Sequence, residues 1–261
     1  MIPKLKSALP AFVALFALAQ PQATIAPNPS TAIAVAPIAA NDPAATSLFQ
    51  GGRSNLQPVS ILIKNVGTQP ILGIVVLTTA TDTGGRTHTS RDVRDSFMSR
   101  SHAPVLGPGE SLLAIPTGVW VRPQDVGAYA ADPGGIRQLQ RASDWIRLTS
   151  SQATVSIDAI VLASGEVDGP DTTNFMVELE QQKQAAQSVL AAINGPSPTS
   201  ALEQMAAQRI HEGDWLGKWQ HQWAGDYLAA SRGGSGANVL SAIQAGLTIP
   251  TLFRGASANT K

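Results

Sequence analysis

The sequence predicts an α+β protein: an antiparallel β-sandwich over residues 51–170, followed by a C-terminal helical hairpin over 171–232. Three observations predict this. Up to residue 170, apolar residues recur with a period of two between turns rich in Gly, Pro, Asn and Asp. From residue 172 on they recur at helical spacing. Between the two regimes lies TVSIDAIVLASGEVDGPD (154–171), which reads as a long strand, a tight turn at Ala163-Ser164-Gly165 and a short return strand. In that long strand Val155, Ile157, Ala159 and Val161 form one face. The other face passes from Ser156 and Asp158 to Ile160 and Leu162, so the later half is expected to be buried on both sides. Gly169-Pro170 ends the pairing, and Asp171-Thr172-Thr173 offers capping oxygens for a helix.

The first 19 residues read as an export signal. Lys4 and Lys6 form a basic start, an apolar run covers 8–18, and Ala17-Leu18-Ala19 fits a cleavage site, with Ala23 as the second choice. The destination is periplasmic or extracellular, and no other stretch reaches transmembrane length. Residues 20–50 are rich in Ala, Pro, Thr and Ser with almost no charge, and are expected to form an extended linker.

Within 51–170, PVSILIKNV (58–66) alternates as a strand and Gly67-Thr68-Gln69-Pro70 is a turn. ILGIVVLTTA (71–80) is nearly all apolar, hence central. Asp82-Thr83-Gly84-Gly85 turns the chain into a polar edge strand beginning RTHTS (86–90). Strands are also expected at 111–115, 119–122 and 145–149. Asp132-Pro133 is suited to start a short helix reaching about Ala142.

The run Ile61-Leu62-Ile63-Lys64-Asn65-Val66-Gly67, then Pro70-Ile71-Leu72-Gly73, then Leu106-Gly107-Pro108-Gly109-Glu110, resembles bacterial immunoglobulin-like modules of secreted proteins. The resemblance rests on turn chemistry and covers about 110 residues. It implies an immunoglobulin-like sandwich used for binding, adhesion or spacing, and transfers no functional residues.

In the C-terminal part, Phe175, Leu179, Ala186, Val189, Leu190 and Ile193 share one face of a helix over 172–194 that Gly195-Pro196 closes. Ser200-Ala201-Leu202-Glu203 reads as a capping box for a second helix reaching Ser231, unless Gly213 breaks it. Residues 233–261 form a tail with a possible short helix at 237–245.

Composition narrows the chemistry. With 18 basic and 18 acidic residues the chain lacks the excess charge of a nucleic-acid binder. The absence of cysteine excludes disulfides, thiol catalysis and thiolate metal sites. Asp82-Thr83-Gly84 matches the core triplet of aspartic proteases, but Thr79-Ala80-Thr81 precede it where that family is usually apolar, and a hairpin turn accounts for it better. His88 and His102 flank Arg91, Asp92, Arg94 and Asp95 without diagnostic metal spacing, and Glu166, Asp168 and Asp171 read first as a solvated turn. No catalytic residue, metal site or cofactor is assigned. The candidate binding residues are Trp215, Trp219 and Trp223, a stripe at i, i+4, i+8 that serves either as an exposed strip for a protein or glycan partner or as a packing face. The function expected is a non-catalytic binding or structural module. The alternatives are a hydrolase with its site at the sandwich–hairpin junction and an assembly subunit pairing through the hairpin.

Overall fold

The computed structural model describes residues 22–39, 42–97, 103–149 and 152–255. The first 19 residues, read above as an export signal, and His102 lie outside them. The chain is a mixed α+β protein built on two sheets. It forms, in order, β1 (Gln22–Ile25), β2 (Ile33–Pro37), α1 (Pro43–Phe49), β3 (Ile61–Asn65), β4 (Ile71–Thr81), β5 (Thr87–Asp95), β6 (Ser111–Ile115), β7 (Val119–Val121), α2 (Val126–Ala131) and α3 (Pro133–Thr149). There follow β8 (Gln152–Leu162), β9 (Glu166–Asp168), α4 (Phe175–Ile193), α5 (Pro198–Ala206), α6 (Trp215–Arg232), α7 (Gly236–Gly246) and β10 (Phe253–Arg254).

Sheet A has six strands in the order β10-β9-β8-β4-β5, with β1 running parallel along the first half of β8. Sheet B has the antiparallel order β2-β3-β6-β7. One face of sheet A shares a core with sheet B and with α1 and α3, through Ile61 and Ile63, Ile74 and Val76, and Leu48, Leu139 and Ile146. The other face carries α4, through Val75, Ala159, Val161, Phe175 and Leu179. Gly73 lets that helix approach: a Cβ there would stand 3.0 Å from the Phe175 ring. The alternation in β8 follows from these two coverings. Its first half buries every second residue, and from Ile157 onward both faces are covered.

Asn65 shows why the turn residues stand where they do. Its buried side chain donates to the carbonyls of Gln69 and Leu106 and accepts from the Gly67 amide. Its backbone carbonyl accepts from Gly109, which sits at φ +80. The Asn-x-Gly turn and the Pro-Gly loop, distant in sequence, are thus one hydrogen-bonded corner.

Three expectations need correction. The stretch expected to be a linker (20–50) contributes β1, β2 and α1, because unpaired edges of β8 and β3 supply the backbone partners its composition does not advertise. Residues 145–149 are the last turns of α3. Leu139, Ala142 and Ile146 are buried at helical spacing, and a five-residue window was too short to separate that period from alternation. The second helix is two helices, α5 and α6, parted around Gly213 at φ +83, and Asp214 caps α6 by accepting from the Gly217 amide at 2.8 Å. The tail carries the short helix expected at 237–245 as α7 and packs back on the body: α7 lies against α6 and α4, and β10 pairs parallel with β9. The C-terminal part is therefore a four-helix cluster rather than a hairpin.

Candidate functional site

The tryptophan stripe is mostly interior. Trp219 and Trp223 are buried, their ring centroids 5.3 Å apart, in a core made by α4, α5, α6 and α7. Gly246 of α7 abuts the Trp223 ring, where a Cβ would stand at 2.9 Å. Trp215, half-buried, lies between the Lys218 ammonium at 4.3 Å and the Arg91 guanidinium at 5.6 Å from its centroid. The three rings do not form an exposed strip, because the break before α6 turns the stripe toward α4 and α7.

The junction between sheet A and the helices gathers buried polar groups. Asp158 of β8 accepts four hydrogen bonds: the Thr172 hydroxyl and amide at 2.6 and 2.8 Å, and the Thr173 hydroxyl and amide at 2.6 and 3.1 Å. Burial raises the pKa of this carboxyl, and the four donors more than offset it, leaving the group below the usual range. Arg91 of β5 donates to the Thr173 hydroxyl and pairs with Glu178 at 2.6 Å. Asp171, at φ +49, accepts from the Phe175 amide at 2.5 Å and pairs with Arg254. Desolvation nevertheless pushes the Asp171 carboxyl up. These groups bind each other and tie β5, β8, α4 and β10 together.

Asp82 forms the expected turn. Its carboxylate accepts from the Gly84 and Arg86 amides, from the Arg86 side chain, and stands 3.2 Å from His88 Nε2. The Arg86 amide and then His88 hold the carboxyl well below the usual carboxylate range, against desolvation. His211 is exposed and His221 half-buried. Among the described residues no group of three or more His, Asp or Glu is placed to hold a metal ion.

What the structure brings together instead is a cleft of 230 Å³ where the end of β5 in sheet A meets β7 of sheet B, lined among others by Arg94, Asp95, Trp120, Arg122, Asp125 and Tyr129. The elements position each group. Trp120 stands on β7 between the buried Val119 and Val121. Arg122 follows that strand and is steadied by Glu110 at 3.2 Å. The Gly107 amide, against desolvation and with help from Arg122, holds the Glu110 carboxyl below its usual range. Tyr129 projects from α2, and its hydroxyl donates to Gln138 at 2.5 Å. Desolvation and then the Asp132 charge raise the pKa of this phenol. The indole N–H of Trp120 is buried and meets no acceptor among the described residues. Of these residues the sequence singled out only Arg94 and Asp95, in the polar stretch between His88 and His102. The cleft residues come from three separate elements, and only the fold makes them neighbours.

No protein-family model, curated protein or solved structure matches this chain.

Proposed function

We propose that the chain is an exported, non-catalytic binding module that holds a saccharide-like polar ring in the cleft between Trp120 and Tyr129. The observation that carries this reading is the composition of the cleft wall. Two aromatic side chains offer apolar faces for the C–H side of a sugar, while Arg122 donates and Asp125 accepts toward its hydroxyls. At 230 Å³ the cleft is smaller than sites for drug-sized ligands, which suits one ring rather than a long chain. The sandwich reading belongs to the same proposal. Support comes from the core shared by the two sheets and from the Asn65 corner. The parallel pairings of β1 and β10 and the insertion of α2 and α3 depart from an immunoglobulin-like pattern.

Export is part of this reading. Cleavage after Ala19 leaves β1 whole, whereas cleavage after Ala23 removes Gln22 and Ala23, the partners of Gln152 and Ala153. N-terminal sequencing of the secreted protein is expected to begin at Gln20. Among the described residues no helix is long and apolar enough to cross a membrane.

The binding test is a calorimetric titration of the mature protein with a panel of mono- and disaccharides. A member of the panel is expected to bind, and Trp120→Ala or Arg122→Ala to weaken it about tenfold or more, the usual effect of losing an anchor residue. A folded protein that binds none of the panel at millimolar concentration removes the saccharide reading.

A further inference from the structure

At nine residues, β5 is the longest strand at an edge of either sheet, and no other described strand pairs with its outer side. Its pairing with β4 fixes which backbone groups are engaged. The Asp82 amide donates to the Arg86 carbonyl at 2.9 Å, and the Ser96 amide donates to the Leu72 carbonyl at 2.8 Å. The register between these points is unbroken, from Thr81↔Thr87 to Gly73↔Asp95. Alternate residues of an antiparallel pair exchange hydrogen bonds, so the even-numbered residues of β5 turn their amides and carbonyls toward β4. Thr87, Thr89, Arg91, Val93 and Asp95 turn theirs outward.

The sequence along that edge is complementary to itself. Read antiparallel about Val93, Arg91-Asp92-Val93-Arg94-Asp95 sets Arg91 opposite Asp95 and Asp92 opposite Arg94. Only a register centred on an odd-numbered residue matches the outward groups. Centring on Arg91 sets it against its own copy and His88 against Arg94. Centring on Asp95 sets that carboxylate against itself. Centring on Thr89 pairs residues 87–91, as many as the 91–95 paired about Val93, but sets no opposite charges against each other. Like charges directly opposite destabilise a pair, so the Val93 register is the one the charges favour.

Two side chains on the same face of β5 complete the case. Arg94 is exposed and forms no ion pair with a described residue. Asp92 is buried and accepts from neutral donors, chiefly the Ser90 hydroxyl at 3.0 Å and the Thr117 amide at 3.0 Å, with the Gly118 amide beside them. In the Val93 register each stands opposite the other's counterpart in the second copy.

We propose that two copies of this chain pair antiparallel through β5 about Val93, joining their six-stranded sheets into one and forming an Arg94–Asp92 ion pair on each side of the dyad. The contact is isologous and closed, as in most homodimers. It covers the open edge that sheet proteins otherwise have to guard. Arg94 and Asp95 also border the cleft, so pairing sets each cleft beside the dyad while Trp120, Arg122, Asp125 and Tyr129 keep their places on its wall.

The absence of cysteine provides a clean test. Hydrogen-bonded partners across an antiparallel pair have Cα atoms about 5.5 Å apart, within disulfide reach. The mature Val93→Cys protein is expected to form a disulfide-linked dimer under mild oxidation. Thr89→Cys is expected not to, because in this register the two copies of residue 89 lie about 27 Å apart along the strands. Sedimentation of the unmodified mature protein is expected to show a dimer. Arg94→Glu, which sets like charges opposite each other twice, is expected to weaken that dimer about tenfold without changing the far-ultraviolet circular dichroism. A protein that stays monomeric to its solubility limit, or one whose two cysteine variants cross-link at equal rates, overturns the proposal. So does a dimer indifferent to Arg94→Glu. The saccharide titration at Trp120 fails or succeeds independently of all three.

Discussion

Asp158, where sheet A meets the helices, and Asp92, where it meets sheet B, are both buried aspartates that join one layer to the next. Asp158 is met by four donors at 2.6–3.1 Å, and its carboxyl is held below the usual range. Asp92 is met chiefly by the Ser90 hydroxyl and the Thr117 amide, and burial pushes its pKa up to about 6. Desolvation acts on both. The number of donors aimed at the charge decides the sign. Asp158 therefore locks its junction as an anion at neutral pH, whereas the second junction is strongest when Asp92 carries a proton.

The largest expected effect follows from removing the saturated group. Asp158→Ala leaves two hydroxyls and two amides without their acceptor, and is expected to cost about 3–5 kcal/mol at pH 7. Urea unfolding at constant protein concentration reads this directly. A loss under 1 kcal/mol would mean that water replaces the carboxylate and that the two junctions do not differ as described.

Next in size is a pH dependence of opposite sense. Because burial raises the folded pKa of Asp92, its contribution to stability is fully present below the unfolded value of 3.8. It is lost as pH rises through about 6. A shift of this size corresponds to about 2–3 kcal/mol. Asp92→Asn mimics the protonated form: its amide oxygen can accept from the Thr117 amide while the Ser90 hydroxyl turns to accept from its NH₂. The variant is expected to be more stable than the parent at pH 7 and equal to it near pH 4, the difference opening as pH rises through about 6. Dilute protein is the right sample. Pairing through β5 would bring Arg94 of a second copy to Asp92 and lower its pKa, so the pH dependence should fade as concentration rises.

The two junctions also differ in how much of them is legible in the sequence. The strand, turn and capping residues around Asp158 form one continuous stretch, and its chemistry is local: period two, Gly165 for the turn, Asp171 as the cap. A lone aspartate amid the apolar Ile157, Ala159 and Ile160 is itself a sign of a buried acceptor awaiting donors. Asp92 gives no such sign, because RDVRD reads as a solvated edge and its partner Thr117 arrives from another sheet. The same physical limit hid the cleft and misassigned residues 20–50. Trp120, Arg122 and Tyr129 converge only because β7 and α2 are packed together, and β1 forms because β8 has a free side to pair with. The tryptophan spacing was legible, but which way the stripe faces depends on the break around Gly213 and on α7, which is tertiary information.

The smallest expected effects resolve the Asp158 lock into its parts. Thr172→Val and Thr173→Val each delete one hydroxyl donor at 2.6 Å from the carboxylate and leave both amides in place. Each is expected to cost about 1.5 kcal/mol, the range for a hydrogen bond to a charged group. Thr173→Val should cost somewhat more, because the Thr173 hydroxyl also accepts from Arg91 Nε at 3.0 Å. The sign of the pH effect separates this from mere loss of packing. The donors depress the Asp158 pKa, so the stability they supply is present above the unfolded carboxylate value and lost as pH falls through the lower folded value. Removing one donor raises that folded value and moves acid unfolding to higher pH. A variant that loses stability equally at pH 3 and pH 7 has lost packing rather than part of the charge lock, and the contrast with Asp92 would then rest on the backbone amides alone.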